Sequence, residues 1–276
     1  MGAIPSRFSS TIIFGLSALC STAAMAGGTV PSFVQNGTLK VCTAGDFPPM
    51  EYYEHPGDTQ MVGVEIDVVS ALARIWNAKP DFVIAPFTGL LSSLEARRCD
   101  LVASGISVTP ERLKTYDALP YFTTAVVVLT PASDTATARP EDLSGKVIAI
   151  EAGTTYEARA ADLNSTLRAG AQPEVTVQTY PSAAAVIQQI LVGRAAATFT
   201  QDTTAIFRRN QMPDALRIAY TYPDHNTYGL YLRRSGDDLQ SLRQAFATLR
   251  QSGELAAIAA RWGIAETALD AAAGPQ

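Results

Sequence analysis

Apolar and polar positions along this chain alternate between two rhythms. Residues 39–44 (LKVCTA) are a short apolar run ending in turn-forming residues, which reads as a strand. Residues 64–76 then place Ile66, Val69, Ala73 and Trp76 at helical spacing, predicting an amphipathic helix. The chain returns to a strand at 81–86, a short helix at 90–98 and another strand at 100–104. This β-α-β-α-β order predicts a mainly parallel sheet covered by helices on both faces.

The same rhythm restarts further on. Residues 141–160 read as a short helix, a turn at Gly145, a strand and a new helix. A strand follows at 174–180, a helix at 182–193 with Ser182 as its cap and Gly193 at its end, and a strand at 196–200. Between the two units, residues 125–130 (AVVVLT) are strand-like, suggesting a short ordered hinge. A strand at 228–234 and helices at 237–250 and 253–262 could return the chain to the first unit. The expected class is therefore α/β, in two successive units, with no short-period repeat.

The first 26 residues do not read as part of this fold. Arg7 precedes a nine-residue apolar run (TIIFGLSAL), too short to span a membrane, and AMA supplies the small residues of a cleavage site. A secretory signal peptide cleaved after Ala26 is expected. Leu19, just before Cys20, argues against lipid attachment there. Without Arg7 the chain holds 20 basic and 26 acidic residues, a net charge of −6, which argues against a nucleic-acid partner. Cys42 and Cys99 remain. An oxidising compartment permits a disulfide between them, and two small buried apolar residues are the equal alternative. With His55 and His225 they show no zinc spacing, so neither metal nor cofactor is expected.

In open α/β sheets ligands bind at the carboxyl ends of strands, and two facing units would put a cleft between those ends. Two strand-to-helix junctions stand out. In VIAIEAGTTYE, Gly153 allows close backbone approach, and Thr154 and Thr155 add hydroxyls to helix-start N–H groups; ordinary capping is the plainer reading. In SGISVTPERL, Thr109 can cap, Pro110 suits the first helical position and Glu111 suits the dipole. Arg112 does not. A guanidinium at the positive end of a helix makes sense as a fork for a carboxylate, or as a solvated side chain paired with Glu111 or Asp117. Phe47 and Phe87, each just after a strand, could wall an apolar part of a ligand, whereas Tyr52 and Tyr53 read better as packing.

These segments also occur in a familiar order. GTLKVCTAGDFPPMEY, VGVEIDVVSAL, FTGLLSSLEARRCDLVASGISVTPERL, LPYF, DLSGKVIAIEAGTT, GRAAA and RWG together resemble the family 3 extracellular solute-binding proteins over nearly all of residues 37–263. The resemblance implies a two-lobed periplasmic-binding-protein fold. A leader at 1–26 would precede one lobe of 27–126 plus 224–276 and a second of 127–223, joined by two crossing strands. It implies a monomer in the periplasm that closes on an amino acid or related carboxylate and delivers it to a membrane ABC permease, with no catalysis. By position, Arg112 would clamp the α-carboxylate, with Thr155 and the Thr154 backbone completing the clamp. Ser107 and the Gly105 backbone would help to hold the α-amine, and Phe47 and Phe87 would sandwich the side chain.

Two departures from the family pattern are visible. Ala196 stands where an Asp is common, a surface change. Ungapped counting also puts Gln201 where the family carries the carboxylate for the α-ammonium, with Asp202 one residue late. Either the chain bulges and brings Asp202 in, or a neutral amide meets the ligand, which would then be an ordinary amino acid with altered contacts or one with a modified amine. An enzyme of the cyclohexadienyl dehydratase type is the alternative on the same fold, with Glu157 and Asp202 as its possible acids. A sensor domain acting through a separate partner is a third reading.

Overall fold

The computed structural model describes residues 1–2 and 29–273, so all but the first two residues of the expected leader, Cys20 included, lie outside the described residues. The first half of the chain supplies β1 (Thr38–Thr43), the two-residue strands β2 (Asp46–Phe47) and β3 (Glu51–Tyr52), α1 (Val64–Ile75), β4 (Lys79–Ile84), α2 (Leu90–Glu95), β5 (Leu101–Val102) and α3 (Pro110–Leu113). The long strand β6 (Tyr116–Pro131) leads into β7 (Val147–Glu151), α4 (Tyr156–Ala169), β8 (Thr176–Tyr180), α5 (Ala183–Leu191), β9 (Thr198–Gln201) and α6 (Asp202–Gln211). A second long strand, β10 (Leu216–Arg233), leads back to α7 (Gly236–Gln251) and α8 (Glu254–Arg261).

β6 and β10 organise everything else. Six strands run in the order β4-β1-β5-β10-β6-β9; β4, β1 and β5 are parallel, while β10 and β6 are antiparallel to their neighbours. β7 and β8 form a parallel pair that bridges through Ile148 to Ala197, just before β9. One stretch of the β6–β10 ribbon thus joins the first sheet and the other joins the second, with a register break between Thr221 and His225. The result is a two-lobed α/β fold. Each lobe has its own apolar centre: Val41, Leu72, Tyr121 and Phe246 in one, Ile148, Leu163 and Phe199 in the other.

The expected parallel βαβ units are present, but the return strand is far longer than residues 228–234 suggest. Tyr222–Thr227 is a polar stretch (YPDHNT) that carries no apolar alternation; it is held in the ribbon by β6 pairing at Thr221 and again at His225–Thr227, on either side of the register break. α6 was also not legible, because its sequence DTTAIFRRNQ buries only Thr204 and Ala205. Cys42 and Cys99 form a disulfide with a Cα–Cα distance of 5.6 Å, tying β1 to the turn before β5.

Candidate functional site

A cleft opens where the strand ends of the two lobes meet. Its walls enclose about 390 Å³, measured to atom surfaces and including the open mouth. Phe47, Phe87, Gly105, Ser107 and Arg112 line it from one lobe; Thr154, Thr155 and Gln201 line it from the other. Eight of the nine residues singled out from sequence therefore share one space. The lobes touch across it: Arg112 Nη2 donates to the Gly153 carbonyl at 3.1 Å, and Tyr52 packs edge-on against Phe207 with ring centroids 5.3 Å apart. Tyr52 and Tyr53 are absent from the cleft wall; Tyr52 packs against Phe207 and Trp262, while Tyr53 is exposed.

Arg112 is held as the helix-start reading requires. Thr109 Oγ1 accepts the Arg112 N–H at 3.2 Å, capping α3. The guanidinium is half-buried and its Nη1 donates to the Ser107 carbonyl at 2.8 Å. Neither acid proposed as a counter-ion takes it. Glu111 pairs with Lys114, and Asp117 accepts the Ser235 N–H. Arg112 thus faces the cleft with its Nη donors on two carbonyls, the Tyr231 hydroxyl beside it and no acid paired with it; burial lowers its pKa, and a guanidinium keeps its charge. Opposite, the Thr154 hydroxyl donates to the Glu151 carbonyl at 2.7 Å, while Glu157 accepts the Gly153 N–H at 2.8 Å.

Gly105 and Phe47 fit each other closely. Gly105 has φ +57°, and a Cβ there would sit 2.7 Å from the Phe47 ring. Only glycine leaves room for the ring at this turn. Behind the turn is a pair of fully buried acids. The Gly105 N–H donates to both Glu65 oxygens at 3.1 and 3.0 Å, and Tyr121 donates to Glu65 Oε1 at 2.5 Å. Ser104 donates to Glu51 Oε1 at 2.7 Å, leaving Glu51 Oε2 buried without a donor. Burial and the facing carboxyl of Glu65 raise the pKa of Glu51 well above the usual range. A proton on Glu51 Oε2, donated to Glu65, satisfies both groups. Sequence reading missed this pair because a Glu seated among apolar helix residues carries no local signal of its partner.

The α-amine side of the cleft departs from expectation. Gln201, 1% exposed and the last residue of β9, lines the cleft. Asp202 begins α6 and is not among the lining residues. Its Oδ1 accepts Thr124 Oγ1 of the crossing strand at 2.5 Å and its neighbour Thr203 N–H at 2.7 Å. Neither acid considered for a dehydratase, Glu157 or Asp202, lines the cleft. Two other acids do: Asp46 and Glu151. Burial raises the pKa of Asp46, with the Ala184 N–H donating to it at 3.5 Å. Burial, with Asp46 adding repulsion, raises Glu151 to about 8.

The model of the bacterial extracellular solute-binding proteins, family 3, matches residues 39–265. The chain belongs to that family. It is 27% identical over 259 residues to the L-cystine-binding protein TcyJ of Escherichia coli strain K12, covering 90% of this chain and 94% of the relative. The arginine-binding extracellular protein ArtP of Bacillus subtilis strain 168 is 26% identical over 254 residues, covering 90% and 95%. Among solved structures, an ancestral arginine-binding protein bound to arginine superposes with a TM-score of 0.75 at 26% identity, over 82% of this chain and 98% of that one. The ancestral amino acid-binding protein AncCDT-1, described as a precursor of cyclohexadienyl dehydratase, gives 0.72 at 25% identity, over 82% and 95%.

Proposed function

We propose that this protein is a periplasmic receptor that captures a polar amino acid, or a derivative of one, between its lobes and hands it to a membrane ABC permease. The carrying observation is Arg112: a guanidinium without an acidic partner, facing the helix-start threonines Thr154 and Thr155 across a cleft. A planar fork of donors opposite the Thr155 hydroxyl and the helix-start N–H groups is a receptor for a carboxylate. Thr155 and the Thr154 backbone complete the clamp, Phe47 and Phe87 flank the side chain, and Ser107 and Gly105 help to hold the amine. The lobes are residues 27–126 plus 224–276 and residues 127–223, rotating about the β6–β10 ribbon; closure buries the ligand. Residues 1–26 are a leader that is removed on export, and the receptor acts as a monomer.

The test is a thermal-shift screen of the purified protein, unfolded and refolded to strip carried-over ligand, against amino acids and their deaminated or N-modified counterparts. A specific ligand at about a hundred times its Kd adds roughly 2.7 kcal/mol of stability. A clear hit that is lost in Arg112→Gln supports capture; silence across the panel removes it.

One observation favours a second reading. Glu151, raised to about 8, still carries its proton near neutral pH and lines the same cleft as Arg112, which suits a general acid acting on a carboxylated ring. Steady release of phenylpyruvate or phenylalanine from prephenate or arogenate would establish that dehydratase; its absence leaves capture alone.

A further inference from the structure

Glu151 ends β7 and is 7% exposed, yet its side chain borders the cleft and also a second, adjoining chamber under α5. It makes no ion pair within 4.0 Å among the described residues. The charged and titratable groups around it come from four elements. Asp46 on β2 repels it, and Tyr156 on α4 brings no positive charge. Arg208 on α6 lines the adjoining chamber, but its charge acts on Asp46 and Tyr52. Arg112 on α3 lines the cleft with its donors on the Ser107 and Gly153 carbonyls. From α5 only the Ala183 N–H offsets part of the burial cost. Among the residues that line the cleft the one cation is Arg112, and with Arg208 acting on Asp46, a ligand carboxylate on Arg112 leaves Glu151 as the acid without a cation.

We infer that Glu151 is the receptor for a cationic nitrogen of the ligand, supplying the negative charge that Gln201 lacks. This rests on the amino-acid-capture reading and goes further by naming the group that meets the positive end. Asp46 shares the same wall and reinforces the preference for a cation. The two possible sources of that nitrogen are the α-ammonium and a side-chain ammonium, guanidinium or amidinium. In the free protein Glu151 holds its proton at neutral pH. When the cation arrives, the carboxyl O–H breaks, the proton leaves to solvent, and a carboxylate–cation pair forms. Ligand capture is thus linked to release of about one proton at pH 7, and binding tightens by up to tenfold per pH unit between about pH 6 and 8.

The experiment is isothermal titration calorimetry of the refolded protein at pH 7 in phosphate and in Tris, whose ionisation enthalpies differ. The probes are L-arginine, L-citrulline and N-acetyl-L-arginine. Release by L-arginine but not by L-citrulline places the side-chain cation on Glu151. Release by both, lost with N-acetyl-L-arginine, places the α-ammonium there. In either case E151Q abolishes the release and weakens binding at least tenfold at pH 8, while E151D retains the release. The ligand-free melting temperature of E151Q should equal or exceed the native one, which separates a binding role from a folding role. Tight binding with no proton release, unchanged in E151Q, overturns the assignment and leaves capture standing. Failure of all three probes and of the wider amino-acid panel removes capture, and this assignment with it.

Discussion

Replacing Glu51 with glutamine should leave the protein as stable as the native form at pH 5 and make it more stable at pH 7.5. Glu51 and Glu65 are both fully buried, and only one of them can be an anion. Glu65 accepts the Gly105 N–H on both of its oxygens and the Tyr121 hydroxyl on one, so it holds the charge. Glu51 holds the proton, because its Oε2 has no donor and its Oε1 accepts from Ser104. In the unfolded chain Glu51 ionises near pH ~4.3. Its folded pKa is raised, so above that pH the native state binds more protons than the unfolded one, and stability falls as pH rises. The slope is about 1.4 kcal/mol per unit for one proton and continues until the folded pKa is passed. The glutamine of E51Q reproduces the protonated acid, with its amide donating to Glu65 and its carbonyl accepting from Ser104, and it cannot ionise in either state. Glu65→Gln instead presents donors to the Gly105 N–H or to Glu51, and should cost about 2–3 kcal/mol at both pH values. Urea unfolding midpoints at pH 5 and 7.5, with unchanged m-values, measure this. Parallel pH profiles for the native protein and E51Q, or equal damage from E51Q and E65Q, would refute the shared proton.

Arg112→Gln should weaken capture of a carboxylated ligand by roughly 30- to 150-fold, the loss of about 2–3 kcal/mol of charge-assisted bonding, and Arg112→Lys should not restore it because the ammonium lacks the fork; calorimetry with any hit from the thermal screen reads both. Removing the Cys42–Cys99 disulfide by paired Ser substitution should lower unfolding free energy by up to about 4 kcal/mol, from a cross-link spanning 57 residues, visible as a denaturant shift that reducing agent reproduces in the native protein. Gly105→Ala should cost about 1–3 kcal/mol and reduce ligand affinity as well, since its Cβ meets the Phe47 ring and φ is +57°. If it melts like the native protein and binds as tightly, the close fit of glycine to ring is not what shapes that wall.

How much of this was legible in sequence divides along physical lines. The parallel strands and the amphipathic helices announce themselves, because their burial is one-sided or complete and the apolar spacing reports it. α1 begins and ends within a residue of its expected span, and the caps Thr109 and Ser182 accept the N–H groups that their positions demand. The crossing ribbon was half hidden, because His225–Thr227 borrows its extended form from β6 rather than from its own side chains. The acids were hidden altogether. Asp46, Glu51, Glu65 and Glu151 are spread over about a hundred residues, and what marks them is burial that raises each pKa, which only the folded chain exposes.

The offset between Gln201 and Asp202 shows the same limit at the scale of one residue. Sequence reading left open whether a bulge brings Asp202 into the site. The chain does not bulge: β9 pairs with β6 in register, Val126 opposite Gln201 through Leu129 opposite Thr198, and α6 starts at the next residue. Gln201 lines the cleft with its Oε1 3.4 Å from Thr124 Oγ1, and that hydroxyl donates at 2.5 Å to Asp202, whose charge the start of α6 welcomes. A negative charge at that point therefore ties the second lobe to its hinge strand. The cleft remains acidic all the same, because Glu151 and Asp46 stand in the wall that Gln201 leaves neutral. The missing carboxylate is thus no argument against a free cation on the ligand. It moves the place where that cation must be sought from the start of α6 to the end of β7.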